Sequence, residues 1–155
     1  MEKLSYQLIK GPRITNSSFS LKKAEAEKDK HSEVECEFAF KINYDNENKK
    51  FTIKMNAKTE EKWIPFKFNI SSDAILFIDD KGFKEKDIAK FGFSSAGPYV
   101  FTLIKDFVAE VTRKAGLTPF YLPNIDFSEI PDEGLVLGLE KTKKERPTKK
   151  IESKK

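Results

Sequence analysis

Few side chains in this sequence could do covalent or metal chemistry, and their spacing argues against it. His31 is the single histidine and sits in AEAEKDKHSE, which reads as a solvated loop. Cys36, the single cysteine, alternates with Glu35 and Glu37 in a run that turns it toward a core. A nucleophilic thiol needs a base within reach, and a tetrahedral zinc site needs more N and S ligands than this chain has. Asp79-Asp80 is a carboxylate pair, but Lys81-Gly82 follows it directly, so it reads as a turn. A hard cation would need several further convergent oxygens. Asp126 and Glu129 have no basic or metal-binding neighbours in sequence. No dinucleotide fingerprint, P-loop or G-x-S-x-G elbow occurs. The expectation is a protein that is not an enzyme and carries no metal and no cofactor.

What remains must be read from surfaces. The chain has 155 residues, enough for one domain with a sizeable core, and its fourteen Phe supply bulk. No apolar run is long enough to span a bilayer. MEKLSYQLIK lacks the apolar stretch of a secretory signal, so a cytoplasmic protein without membrane insertion is expected. The net charge of +4 is unevenly spread: residues 140–155 hold eight Lys/Arg against three Glu, leaving 21 against 22 over residues 1–139. The basic segment, KTKKERPTKKIESKK with Glu140, cannot sustain a core and reads as a disordered tail. The domain organisation expected is therefore a folded unit over 1–139 and a tail over 140–155.

Alternation places strands. Val34, Cys36, Phe38, Phe40, Ile42 and Tyr44 face one way, and after Asp45-Asn-Glu-Asn48 the pattern resumes in Phe51, Ile53, Met55 and Ala57. Phe66, Phe68 and Ile70 start another strand that Ala74–Ile78 prolongs past a bulge or bend at Ser71–Asp73. Tyr6, Leu8, Ile14, Phe19 and Leu21 suggest one more, broken at Gly11-Pro12. Together they predict a four-stranded antiparallel meander with one apolar face. Residues 83–90 suit a short helix, and a second helix is expected from Pro98 at its first turn to Gly116 at its end. On a helical wheel its apolar residues cover an arc of roughly 160°, wider than the ~100° stripe one sheet needs. The excess points to a subunit interface through Phe101, Ile104 and Val108.

Behind that helix comes GLTPFYLPNIDF, apolar and aromatic where a connector is normally polar. Pro119 and Pro123 fix their own φ and bias the preceding residues to extended forms, so Phe120, Tyr121 and Leu122 cannot collapse freely. They either cap the core or form the wall of an apolar groove.

Pro98-Tyr99, Ile104 and Phe107-Val108 on the helix, then Gly116, Pro119, Leu122, Pro123, Ile125, Asp126 and Phe127, resemble the SecB export-chaperone family. The similarity spans roughly residues 4–130 and is most specific over 98–127. It implies an α+β fold, a four-stranded antiparallel β-sheet with a long helix packed on one face, and assembly as a dimer of dimers. The activity implied is ATP-independent holding of unfolded polypeptides or preproteins in apolar grooves. The crossover loop would form part of the groove wall, giving Phe120, Tyr121, Leu122, Ile125 and Phe127 as client-binding residues. Two features depart from the family. Pro131 and Gly134 interrupt the segment where a C-terminal helix would lie, and the chain lacks the acidity with which export members dock on the secretion motor.

The leading expectation is a holdase chaperone. A second reading is an adaptor or assembly protein with one dedicated partner, such as the SecB-like chaperones that serve toxin–antitoxin systems. Nucleic-acid binding by the core is not expected, because its aromatics alternate into a core rather than interleaving with exposed Lys and Arg.

Overall fold

The computed structural model describes residues 3–24, 35–128 and 135–137. The tail over 140–155, the boundary at residue 139, and His31 and Glu129 lie outside the described residues. Strands β1 (Tyr6–Leu21), β2 (Glu37–Asp45), β3 (Lys50–Thr59) and β4 (Phe66–Ile78) are followed by one helix, α1 (Glu85–Lys114), and a short strand, β5 (Leu135–Leu137). The four long strands form the expected antiparallel sheet under a long helix, and β5 adds a parallel edge beside β2 at Phe40–Ile42.

The strand order β1-β4-β3-β2-β5 corrects the meander. Short connections join β2 to β3 and β3 to β4, but β1 pairs with β4 and is separated from β2, its successor in sequence, by two strands, a Greek-key order. The β2–β3 turn is set by Asp45, whose carboxylate accepts from the backbone N–H of Glu47 and Asn48 and from the Asn48 side chain.

No bend interrupts β4. Phe66, Phe68, Ile70, Ser72, Ala74, Leu76 and Ile78 keep one unbroken buried face. The irregularity belongs to β1, whose register against β4 shifts three times around the cis Gly11-Pro12 bond. Gly11 takes φ +87° there, and a Cβ on it would lie 2.7 Å from the Asp73 carbonyl oxygen.

The helix is one continuous element of 30 residues, so Pro98 stands in its interior rather than at its first turn. Ile88, Ala89, Gly92, Phe93 and Ala96 already bury a face before Pro98 is reached, and this packing carries the helix through. The proline ring lies exposed, on the side away from the sheet. The end is as expected: Gly116 at φ +88° closes a Schellman turn, with Gly116 N–H bonding Arg113 O and Leu117 N–H bonding Thr112 O.

The helix sits close to the sheet because Gly92 has no side chain. A Cβ there would be 2.5 Å from the ring of Phe51, which is fully buried between β3 and the helix. Gly92→Ala should therefore destabilise the fold by about 1–3 kcal/mol through overpacking, less the ~1 kcal/mol that Ala gains in helix propensity. A lower urea midpoint at unchanged m-value checks this; a variant more stable than the parent would contradict it.

Candidate functional site

The loop after α1 doubles back along the helix. At one end the Thr112 hydroxyl, held at the carbonyls of Val108 (2.8 Å) and Ala109 (3.0 Å), accepts the Phe120 backbone N–H at 2.9 Å. At the other end Phe127 lies on Gly97, where a Cβ would come within 2.3 Å of its ring. Between Gly97 and Thr112 the helix rises about 22 Å. Phe120 to Phe127 can span about 23 Å only when nearly fully extended. The loop is thus an extended strap, antiparallel to the helix, and the two prolines favour that form.

The side chains of the strap divide. Leu122 (3% exposed) and Phe127 (8%) point inward, Phe120 and Ile125 are half-buried, and Tyr121 stands 66% exposed. Phe127 meets Phe93 at 5.2 Å between centroids and Phe40 and Phe101 at 5.9 Å, tying β2, α1 and the loop together. Phe120 packs edge-on against Phe66 at 5.4 Å. Lys105 donates to the Asn124 side chain at 3.3 Å midway along the strap. Of the five residues expected to line a groove, the sequence pattern brings all to one loop, but Leu122 and Phe127 are anchors within the chain's own core.

The three residues expected at a subunit interface have other neighbours. Phe101, Ile104 and Val108 are buried within the chain, Ile104 and Val108 completely. The wide apolar arc is covered by the sheet below and by the strap on the β2 side, a second layer that the helix pattern alone could not reveal. What stays open is the β1 side: Tyr99 is 49% exposed, its hydroxyl 3.2 Å from that of Tyr6, whose ring in turn meets Phe91 edge-on at 6.1 Å. Leu8 and Ile9 on β1 are also largely exposed. Sequence reasoning passed over Gly97, Thr112 and this flank; a glycine and a threonine on the buried stripe of a helix were the available signals.

Charged groups play no part in the strap's core. Asp80 accepts Lys49 Nζ at 2.7 Å and the Gly82 N–H at 3.1 Å, and these bonds lower its pKa, so the acidic pair is built into a turn. Asp126 accepts the Ser128 N–H, which likewise holds its carboxyl low. Burial pushes the Cys36 thiol up to about 11, aided by the charge of Glu61 and opposed by a hydrogen bond with Thr59. Among the described residues no group of acidic, His or Cys side chains could hold a metal ion, and no helix is long and apolar enough to cross a membrane.

A family model for SecB, described as preprotein translocase subunit SecB, matches residues 9–133. No curated protein matches the chain. Among solved structures, the Mycobacterium tuberculosis Rv1957 SecB-like chaperone, in complex with a ChAD peptide from the Rv1956 HigA1 antitoxin, is similar in fold at a TM-score of 0.61 and 12% identity. That match covers 78% of this chain and 91% of the other. A protein of unknown function from Streptococcus agalactiae matches at a TM-score of 0.46 and 14% identity, over 79% of this chain and 100% of its own.

Two outcomes follow from this geometry. Thr112→Val removes the only side-chain acceptor found for the Phe120 N–H, which should cost about 1–3 kcal/mol. It should also speed exchange of the Phe120 amide by well over tenfold while amides in β3 keep their protection; uniform loss across the molecule would show that the strap has no local role. Cys36, protonated at neutral pH, should react with a disulfide reagent far more slowly in the native protein than in urea, its native rate still rising at pH 10; a plateau below pH 9 would contradict the raised thiol pKa.

Proposed function

The chain belongs to the SecB family, a family of chaperones rather than enzymes, and on that premise we propose that it is an ATP-independent holdase for unfolded polypeptides, preproteins included, in the cytoplasm. The observation that carries this reading is Tyr121: a ring 66% exposed on a strap whose neighbours on either side are fixed. Tyr121, with the open faces of Phe120 and Ile125, is the client surface, and Leu122 and Phe127 are the anchors that hold it out. The structural relative in complex with an antitoxin peptide supports a polypeptide as the ligand.

A single tyrosine gives little affinity, so holding a long chain requires several such surfaces acting together. We infer that the protein is a homo-oligomer, assembled in the dimer-of-dimers manner that the family resemblance implies. Its first contact is the open β1 flank, where Tyr6, Leu8, Phe91 and Tyr99 make a patch of the kind that marks an association surface.

Client holding is tested by suppression of aggregation of several unrelated, chemically denatured proteins. Tyr121→Ser with Phe120→Ser should weaken client binding by about two to four powers of ten, from the ~1.5–3 kcal/mol of each buried apolar side chain. The wild type failing to hold any unrelated client, while binding one partner stoichiometrically, would favour the adaptor reading instead.

Assembly has its own test. Leu8→Glu with Tyr99→Glu should lower the mass in light scattering with the far-UV CD intact, since these side chains are open within the chain. Ile104→Glu should unfold the subunit instead, because it buries an unpaired charge at a cost of several kcal/mol. A monomeric wild type at micromolar concentration would remove the assembly claim.

A further inference from the structure

The face of the sheet turned away from α1 carries a charge pattern that neither the strap nor the assembly uses. β3 places Lys50, Lys54 and Lys58 on it, β2 places Lys41, and β4 places Lys67. Lys41 and Lys54 are direct cross-strand partners, so two ammonium groups emerge side by side from neighbouring strands. Like charges in that relation destabilise a sheet.

The acids on this face do not offset them. Asp73, opposite Lys54, is 94% buried by its 6% exposure and bonds Arg13 at 3.0 Å. Glu37 pairs with Lys58 at 3.6 Å, and the Asp45 carboxylate is spent in the β2–β3 turn. No carboxylate among the described residues pairs with Lys41, Lys54 or Lys67 within salt-bridge distance.

An open depression of about 420 Å³ lies between these lysines. Lys41 and Lys54 line it with Asn56 and Ser71, and Ala39, Phe40 and Met55 give it a largely apolar floor. The amide of Asn56 donates to Asn69 Oδ1 at 2.6 Å and to Ser71 Oγ at 2.9 Å, so its donors are already used within the sheet. A second depression towards the end of the sheet is lined by Lys58 and Lys67 with Glu60 beside them, so the unbalanced cations are those of the first.

We propose that this outer sheet face is a docking groove for an acidic, extended segment of polypeptide, separate from the apolar client surface. Charge complementarity selects the occupant: carboxylates would separate and neutralise Lys41 and Lys54, while the apolar floor suits the side chains between them. Along β3 the lysines recur every fourth residue, about 13 Å apart at ~3.3 Å per residue. Glutamates four apart in an extended ligand have that same period. Nucleic acid fits less well, because the ring in the Lys41–Lys54 depression, Phe40, is buried, while the exposed Phe77 lies opposite Lys50 and outside it, leaving no base-stacking platform between those two lysines.

The test uses the full chain and a fluorescein-labelled twelve-residue Ser/Gly peptide with glutamate at every fourth position, read by fluorescence anisotropy. Binding should weaken with added salt and drop about fivefold to tenfold in Lys41→Gln/Lys54→Gln. Lys86→Gln/Lys90→Gln on the helix, with the same change in net charge and the same tail, should leave it unchanged. Removing the facing cations should keep or raise the melting temperature, so loss of binding cannot be loss of fold. Suppression of aggregation of apolar clients should be unaffected, which separates this groove from the strap. Equal losses in both lysine pairs, equal affinity for a glutamine-substituted peptide, or tighter Lys41- and Lys54-dependent binding of a twelve-residue oligothymidylate would each overturn the proposal.

Discussion

The contact of Phe127 with Gly97 is the constraint on which the rest of the helical layer depends. The ring occupies the place of a missing side chain and at the same time meets Phe40, Phe93 and Phe101. Each such aromatic pair contributes about 0.5–1.5 kcal/mol beyond its area. With Phe127 held there and Phe120 tied to Thr112, the residues between run extended. Leu122 and Phe127 turn inward, and Tyr121, next to Leu122, turns outward. An apolar ring in water is normally a liability of loose structure, but here it is the geometric consequence of two fixed ends.

The same constraint changes the meaning of the helix. A stripe wider than a sheet can cover must find another cover, and the strap supplies it on the β2 side through Phe127 and Leu122. Only the β1 side is left, where Tyr6 and Tyr99 meet through their hydroxyls. The opposite face of the sheet carries most of the strand lysines, with Phe77 exposed among them. Tyrosine suits the exposed positions, since its ring offers apolar contact while its hydroxyl stays hydrated.

Much of this was legible in the sequence, and the failures have physical causes. The alternation in Phe38–Tyr44, Phe51–Ala57 and Phe66–Ile78 gave the strands because period two survives burial of one face. Gly116 marked the helix end because few other residues take φ near +88°. Pro98 misled because local propensity favours a helix start there, while packing of Ile88, Phe93 and Ala96 overrides it. The pairing of β1 with β4 was hidden because strand order is a non-local property. The aromatic loop announced itself by composition, yet which of its residues face inward depended on Gly97 and Thr112, whose small and polar side chains on a buried stripe do not say what packs against them until the chain is folded.

The central claim is that clients meet the outward ring of the strap and not its anchors. Its most direct measurement is site-specific photo-cross-linking, with benzoylphenylalanine in place of Tyr121 in one protein and of Phe127 in another, each mixed with the same denatured client. Strong client adducts are expected from position 121 and, from position 127, adducts only within the chain. Equal client adducts from both positions, or adducts from 127 alone in a protein with native CD, would contradict it.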